Sequence, residues 1–229
     1  METNKTTIEL HYWKLRGLFE SIKTLCEYLN VPYTAVYKTD RDKYFNEEID
    51  ALRQKGFDCP NLPYLKDGDL YLSQSFNLHC YVVKKANRPD MTFNEEDQFI
   101  FFMRNSVISD IKGQITTPCY TASDKEALKN TLQTSPRLSR RMDSLYAFLS
   151  KNKFVMGDKL TFLDFILGEL LEMMMIIEKE LEIDLFKDKR EVLENYVKEF
   201  LSIEAIVKYR KTDRFFERPF NNPVVACWF

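Results

Sequence analysis

The stretch 57-FDCPNLPYLKDG-68 sets two prolines, Pro60 and Pro63, directly ahead of a short apolar run that ends in Asp67 and Gly68. Proline has no ladder donor, so it is excluded from the middle of a central strand but can begin one. Pro63 therefore marks where a strand starts. A cis bond between Leu62 and Pro63, inexpensive for a tertiary amide, would turn the chain sharply there and leave backbone groups facing outward. The Asp67, Gly68 pair is the strongest short hairpin signal in the chain, so 63-PYLKD-67 and 70-LYLSQ-74 read as two antiparallel strands.

Upstream of this hairpin, 8-IELHYW-13 and 33-YTAVYKT-39 alternate like strands, and 18-LFESIKTLCEYL-29 between them has helical spacing, with Leu18, Ile22, Leu25, Cys26 and Leu29 on one face. A strand, a helix and a second strand in that order allow a parallel pair. The charged piece 44-YFNEEIDALRQK-55 is a weaker helix. The segment 75-SFNLHCYVVKKA-86 is a helix expected to start at a polar cap and to turn Leu78, Tyr81 and Val82 inward. A mixed four-stranded sheet follows from these elements.

Past the 87-NRP-89 break the pattern is helical almost to the end. A long helix is expected over 94–115, with Pro118 bending or ending it. Pro136 leads a helix over 137–150 whose stripe is Leu138, Met142, Leu145, Phe148 and Leu149. Thr161 and Asp164 have the spacing of a capping box and open the most apolar helix of the chain. Shorter helices follow at 188–200 and 203–211, and the tail 218-RPFNNPVVACWF-229 has to cover a groove. The expected architecture is an α/β domain over residues 1–88, then an all-helical domain over 89–229, with a crevice between two unlike layers as the natural place for a ligand.

Composition narrows the function. The chain has 229 residues, and its 33 Lys and Arg against 35 Asp and Glu leave a net charge of −2, which points to no nucleic-acid or membrane partner. The five cysteines, at 26, 59, 80, 119 and 227, have no paired spacing and resemble reduced thiols more than a disulfide framework. His11 and His79 lack companions at metal spacing, so no metal site is expected. The start of the chain has no apolar signal core and the greasiest segment is cut by glutamates, so a soluble, cytoplasmic protein is expected.

The motifs 12-YWKLRGL-18, 58-DCPNLPYL-65, 74-QS-75, 161-TFLD-164 and 214-RFFERPF-220 occur in an order, and over a span from about Glu9 to Trp228, that resembles a mu-class glutathione transferase. The resemblance implies a thioredoxin-like N-terminal domain that binds glutathione as co-substrate, with no cofactor, and a helical domain lining a pocket for apolar electrophiles. It also implies a homodimer. Position by position, Tyr12 would touch the glutathione sulfur, Trp13 and Leu18 would line the tripeptide site, and Arg41 would lie near the glycyl carboxylate. Asn61 and Leu62 would meet the peptide backbone, Leu62 through pairing left open by cis Pro63; Gln74 and Ser75 would hold the γ-glutamyl end. Asp110 would reach that end from the other subunit, and Tyr120 would face the electrophile.

The chemistry is consistent with those roles. A thiol with a pKa near ~8.5 is mostly protonated at neutral pH, so a transferase must favour the thiolate. A phenol at the end of the first strand can donate to sulfur a hydrogen bond that strengthens as negative charge gathers there. Ser75 at a helix start supplies a hydroxyl beside unpaired N–H groups, a site for one carboxylate. Two stretches depart from the mu pattern. Tyr44 stands for a tryptophan and Glu47, Glu48 for a lysine at the glycyl end, where carboxylates repel and Lys43 or Lys55 would have to supply charge. Cys59 stands where an aromatic key enters the neighbouring subunit, with Phe57 as the available substitute. Conjugation of glutathione to electrophilic carbon, glutathione-dependent isomerisation of a lipid, and ligand binding without turnover all remain open on this reading.

Overall fold

A computed structural model describes residues 6–223. Positions 1–5 and 224–229, which include Cys227 and Trp228, lie outside the described residues. Strand β1 (Ile8–Trp13) is followed by helix α1 (Glu20–Leu29) and strand β2 (Tyr33–Lys38). A helical stretch comes next, made of α2 (Arg41–Lys43), a π turn (Tyr44–Glu48) and α3 (Ile49–Gln54), and then the hairpin β3 (Tyr64–Asp67) and β4 (Leu70–Ser73) and helix α4 (Ser75–Lys85). The sheet order is β2-β1-β3-β4, with β1 parallel to β2 and antiparallel to β3, and β3 antiparallel to β4. Tyr12 pairs with Tyr37 and Leu65 with both Leu10 and Leu72.

This topology explains where a site can form. Because β2 runs with β1 while β3 runs against it, the end of β1, the chain leaving β2, the chain entering β3 and the chain leaving β4 all fall on one end of the sheet. The residues 12–13, 41–44, 61–63 and 74–75 are those chain segments. The Leu62-Pro63 bond is cis. The hairpin loop is Gly68 and Asp69, one residue beyond the expected Asp67, Gly68 pair, since Asp67 is still paired with Leu70.

Helices α5 (Gln98–Thr121), α6 (Lys125–Thr134), α7 (Pro136–Leu149), α8 (Phe162–Leu181), α9 (Arg190–Leu201) and α10 (Glu204–Tyr209) make up the rest. Two of these helices, and the helical stretch that follows β2, correct the reading of the sequence. Helix α5 runs through Pro118 to Thr121 instead of ending near 115. Helix α6 was not expected: its only large apolar side chains are Leu128 and Leu132, one turn apart, and it starts where the Asp124 carboxylate accepts from Ala127 N–H. The piece expected at 44–55 begins earlier, because Asp40 caps it through Lys43 N–H, and carries a π turn in its middle.

Helix α8 is central, as its apolar character requires. Phe162, Leu163, Phe165, Leu167, Leu171 and Met174 are buried, and the capping box of Thr161 and Asp164 fixes its start. The two layers meet at a buried ionic knot. Arg16, wholly enclosed, donates to both oxygens of Glu169 at 2.7 Å and to Glu172 at 2.6 Å. Arg210 holds the other side of Glu172. Buried charges persist only when paired in this way.

Candidate active site

Tyr12 ends β1 with its ring packed toward Phe19 at 5.5 Å. Its Oη accepts a long hydrogen bond from Leu18 N–H at 3.4 Å, which uses a lone pair and leaves the O–H free to donate. Burial pushes the phenol up to about 12, against the Leu18 bond that favours the anion; Tyr120 adds a smaller upward push. Tyr12 thus stays protonated across the physiological range, as a hydrogen-bond donor and not as a base. Tyr120 is half exposed on α5, and its Oη accepts from Asn222 N–H at 3.2 Å, which ties it to the chain that follows 214-RFFERPF-220.

That motif has a structural reason. Arg16 N–H donates to Pro219 O at 2.8 Å and Gly17 N–H to Phe220 O at 3.0 Å, so the segment buttresses the loop that carries Leu18 N–H to Tyr12. Arg16 also reaches Glu217 O at 3.1 Å and lies over the Phe220 ring at 4.1 Å.

Leu62 is buried ahead of cis Pro63, and its N–H is donated to Asn61 Oδ1 at 2.9 Å, with Asn61 itself exposed. An extended peptide pairing with Leu62 would therefore displace an intramolecular partner. Gln74 precedes α4 with φ 69°, an uncommon conformation for a residue with a side chain, is exposed, and offers no side-chain cap. The first N–H groups of α4 have no partner within the helix, so the polar cap expected from the sequence is replaced by an open, electropositive helix start with Ser75 as its first residue. Behind it, His79 Nδ1–H donates to Ser75 O at 2.6 Å and Nε2 accepts from Ser21 Oγ at 3.1 Å. Burial pushes His79 down to about 4, which keeps the ring neutral in that tautomer.

At the other side of the sheet end, Trp13 meets Tyr44 edge-on at 5.5 Å and Phe45 at 6.4 Å, and the Arg41 guanidinium lies 5.6 Å over Phe45. Tyr44 is only 1% exposed and its hydroxyl has no hydrogen-bond partner among the described residues. It is packed inward and does not present its hydroxyl at the glycyl end in the tryptophan's stead; burial, with Glu48 adding to it, pushes it up to about 12. Glu48 is bound by Lys38 Nζ at 2.5 Å, which offsets the repulsion expected at this end. Lys43 and Lys55 are exposed.

Asp110 does not join this group. It is exposed on α5 and paired with Arg141 at 2.7 Å. Phe57 is buried between Tyr64 and Tyr71, at 5.9 and 5.6 Å, so it is no substitute for an aromatic key, and Cys59 is exposed. Arg16 and Gly17 hold the loop that carries Leu18 N–H, and His79 backs Ser75, contacts that no local pattern in the sequence announced. Two open hollows of the surface lie elsewhere, beside Leu149 and Tyr196 and beside Tyr33 and Arg214; the site is defined by its convergent groups. Among the described residues no cluster could hold a metal and no helix is long and apolar enough to cross a membrane.

A family model described as glutathione S-transferase, C-terminal domain, matches residues 109–213. Human glutathione S-transferase Mu 4 is 30% identical over 97% of this chain and 98% of its own, and human Mu 2 is 32% identical over 92% and 93%. The crystal structure of the glutathione S-transferase Blo t 8 superposes with a TM-score of 0.79 at 23% identity, covering 96% of this chain and all of that one. A Pi-class glutathione S-transferase of Onchocerca volvulus superposes at 0.75 with 19% identity, again over 96% of this chain and 100% of that one.

Proposed function

This chain belongs to the glutathione transferase superfamily, and from that premise we propose that it conjugates glutathione to apolar electrophiles in the manner of the mu class, as a cytoplasmic homodimer with a role in detoxification. The thioredoxin-like half, residues 1–88, takes the tripeptide and the helical half, 89–229, the electrophile. The observation that carries this reading is the state of Tyr12: a protonated phenol at the sheet end, its oxygen held by Leu18 N–H and its proton uncommitted.

In this mechanism the glutathione thiol gives its proton to solvent and the Tyr12 O–H donates to the resulting thiolate. The hydrogen bond is stronger to the anion than to the thiol, so the thiol's pKa falls. The thiolate then attacks an electrophilic carbon; the C–S bond forms as the leaving group departs or as an epoxide C–O bond opens. Tyr120 donates to the oxygen of an opened epoxide and matters only for substrates of that kind. Leu62 pairs with the peptide backbone after its N–H leaves Asn61, Gln74 and Ser75 receive the γ-glutamyl carboxylate at the start of α4, and Trp13, Leu18, Arg41 and Asn61 complete the tripeptide site. Tyr44 supports it from below by fixing Trp13, and Asp110 is supplied by the second subunit.

The test is retention on immobilised glutathione followed by turnover of chlorodinitrobenzene. Tyr12→Phe is expected to lower kcat/KM by roughly tenfold to a thousandfold while leaving glutathione binding nearly intact. Because burial pushes the Tyr12 phenol up to about 12, it is not the group that titrates near neutral pH, and the variant recovers activity only toward high pH. Undiminished turnover in the variant would remove Tyr12 from the sulfur; binding with no wild-type turnover would leave a ligand-binding protein.

A further inference from the structure

Lys112 lies on the face of α5 that also carries Ile108, Ile115 and Cys119, all of them buried. The helix thus brings an ammonium group where it otherwise offers apolar ones. Its Nζ approaches Gly17 O at 3.5 Å, and among the described residues no carboxylate lies within ion-pair distance of it. The carboxylate whose field it feels, Glu169, has both oxygens engaged by Arg16. The carbonyl that Lys112 approaches belongs to the peptide between Gly17 and Leu18. That peptide is trans, so its C=O and N–H point in opposite directions, the first toward Lys112 and the second toward Tyr12 Oη.

We infer that Lys112 is a positioning residue for thiol activation, acting through the peptide between Gly17 and Leu18 to make the Tyr12 hydroxyl a stronger donor to the glutathione sulfur. A cation at the carbonyl oxygen draws electron density from the amide nitrogen and strengthens its N–H as a donor. A hydroxyl whose oxygen accepts a stronger bond in turn donates a stronger one. The field of the ammonium favours the thiolate in the same direction. The inference rests on the assignment of Tyr12 to the sulfur.

The effect has a built-in upper pH limit. Three elements face Lys112: the β1–α1 loop through Gly17 O, α4 through His79, and α8 through Glu169. His79 is neutral and Glu169 is spent on Arg16, so burial dominates and pushes Lys112 down to about 8. Above that pH the charge is shed and its help with it.

The experiment is a titration of the ultraviolet absorbance of the bound thiolate, on the full chain with glutathione, for wild type, K112M, K112R and Y12F. K112M is expected to raise the midpoint by about 0.5 to 1 pH unit, the size of shift one formal charge at this remove produces, and K112R to restore it. Turnover of chlorodinitrobenzene by K112M should fall roughly three- to tenfold near pH 6.5 and merge with wild type well above pH 8, with the KM for glutathione little changed. K112Q repeats the comparison if K112M does not fold. A wild-type midpoint in K112M or K112Q, or a K112R midpoint equal to that of K112M, overturns the inference while leaving Tyr12 in place. A Y12F midpoint equal to wild type overturns the assignment of Tyr12 and this inference together.

Discussion

A methyl group at position 17 would fall 2.7 Å from Tyr12 Oη and 2.6 Å from Leu15 Cδ1, on a backbone with φ +42°. Both the space and the conformation therefore demand glycine. Gly17→Ala should destabilise the fold by about 1–3 kcal/mol and, because relief of the clash moves the phenol or its loop, lower kcat/KM by about tenfold or more. Thermal unfolding and chlorodinitrobenzene kinetics read the two effects separately, and wild-type turnover in a folded variant would detach this loop from the activity. That Tyr12, Leu62, Pro63, Gln74 and Ser75 stand at element ends was legible in the sequence because each belongs to a local pattern: a strand end, a proline at a strand start, a helix start. Arg16 and Gly17 stand inside one of the quoted motifs, but their roles depend on atoms far away in the chain. Arg16 reads as a solvated charge until Glu169 and Glu172 are seen to close over it. Lys112 reads as a surface lysine for the same reason.

Among the elements, α8 shows both what spacing reveals and what it hides. The reciprocal cap between Thr161 and Asp164 follows from their separation of three residues. The structure adds that Asp164 Oδ1 also accepts from Val155 N–H at 2.7 Å and from Tyr196 Oη–H at 2.8 Å, while Oδ2 accepts from Thr161 N–H at 2.8 Å. One carboxylate thus joins the start of α8 to the preceding loop and to α9. Asp164→Asn would set an N–H₂ group against donors and should destabilise by about 2–4 kcal/mol, more than the ~1 kcal/mol expected for losing the cap alone in Thr161→Ala. Denaturant unfolding of the two variants gives the comparison; equal losses would reduce Asp164 to an ordinary cap. Elements with strong periodicity, such as β1, α1, α7 and α8, lie within a few residues of their expected places. The exceptions are those whose signal is weak or local: polar α6, stabilised by two leucines one turn apart, and the π turn at Tyr44, where a residue is accommodated without breaking the helix.

For the whole molecule, the exposed apolar side chains are the informative feature. Phe99 is 76% and Met103 55% exposed near the start of α5, with Ile100 and Phe102 partly exposed beside them, a grouping that a monomer would ordinarily cover. Phe99, Met103 and Asp110 are spaced by four and seven residues and so share one stripe of the helix. A second copy packed on that stripe would meet Asp110, whose half-exposed pair with Arg141 is worth at most about 1 kcal/mol and is readily exchanged. Such a packing is what the proposed role of Asp110 in the neighbouring subunit's site requires, and the exposed stripe offers a surface for it. Phe99→Asp combined with Met103→Asp should give a monomer in sedimentation velocity and raise the KM for glutathione by about five- to twentyfold, the loss of one charge-assisted hydrogen bond. Asp110→Ala should raise it similarly in the dimer and add nothing in the monomeric background, because two changes that remove the same contact are not additive. An additive effect of Asp110→Ala, or a monomer with wild-type KM, would place Asp110 outside the partner's site; a protein that stays dimeric would put the subunit contact on another face.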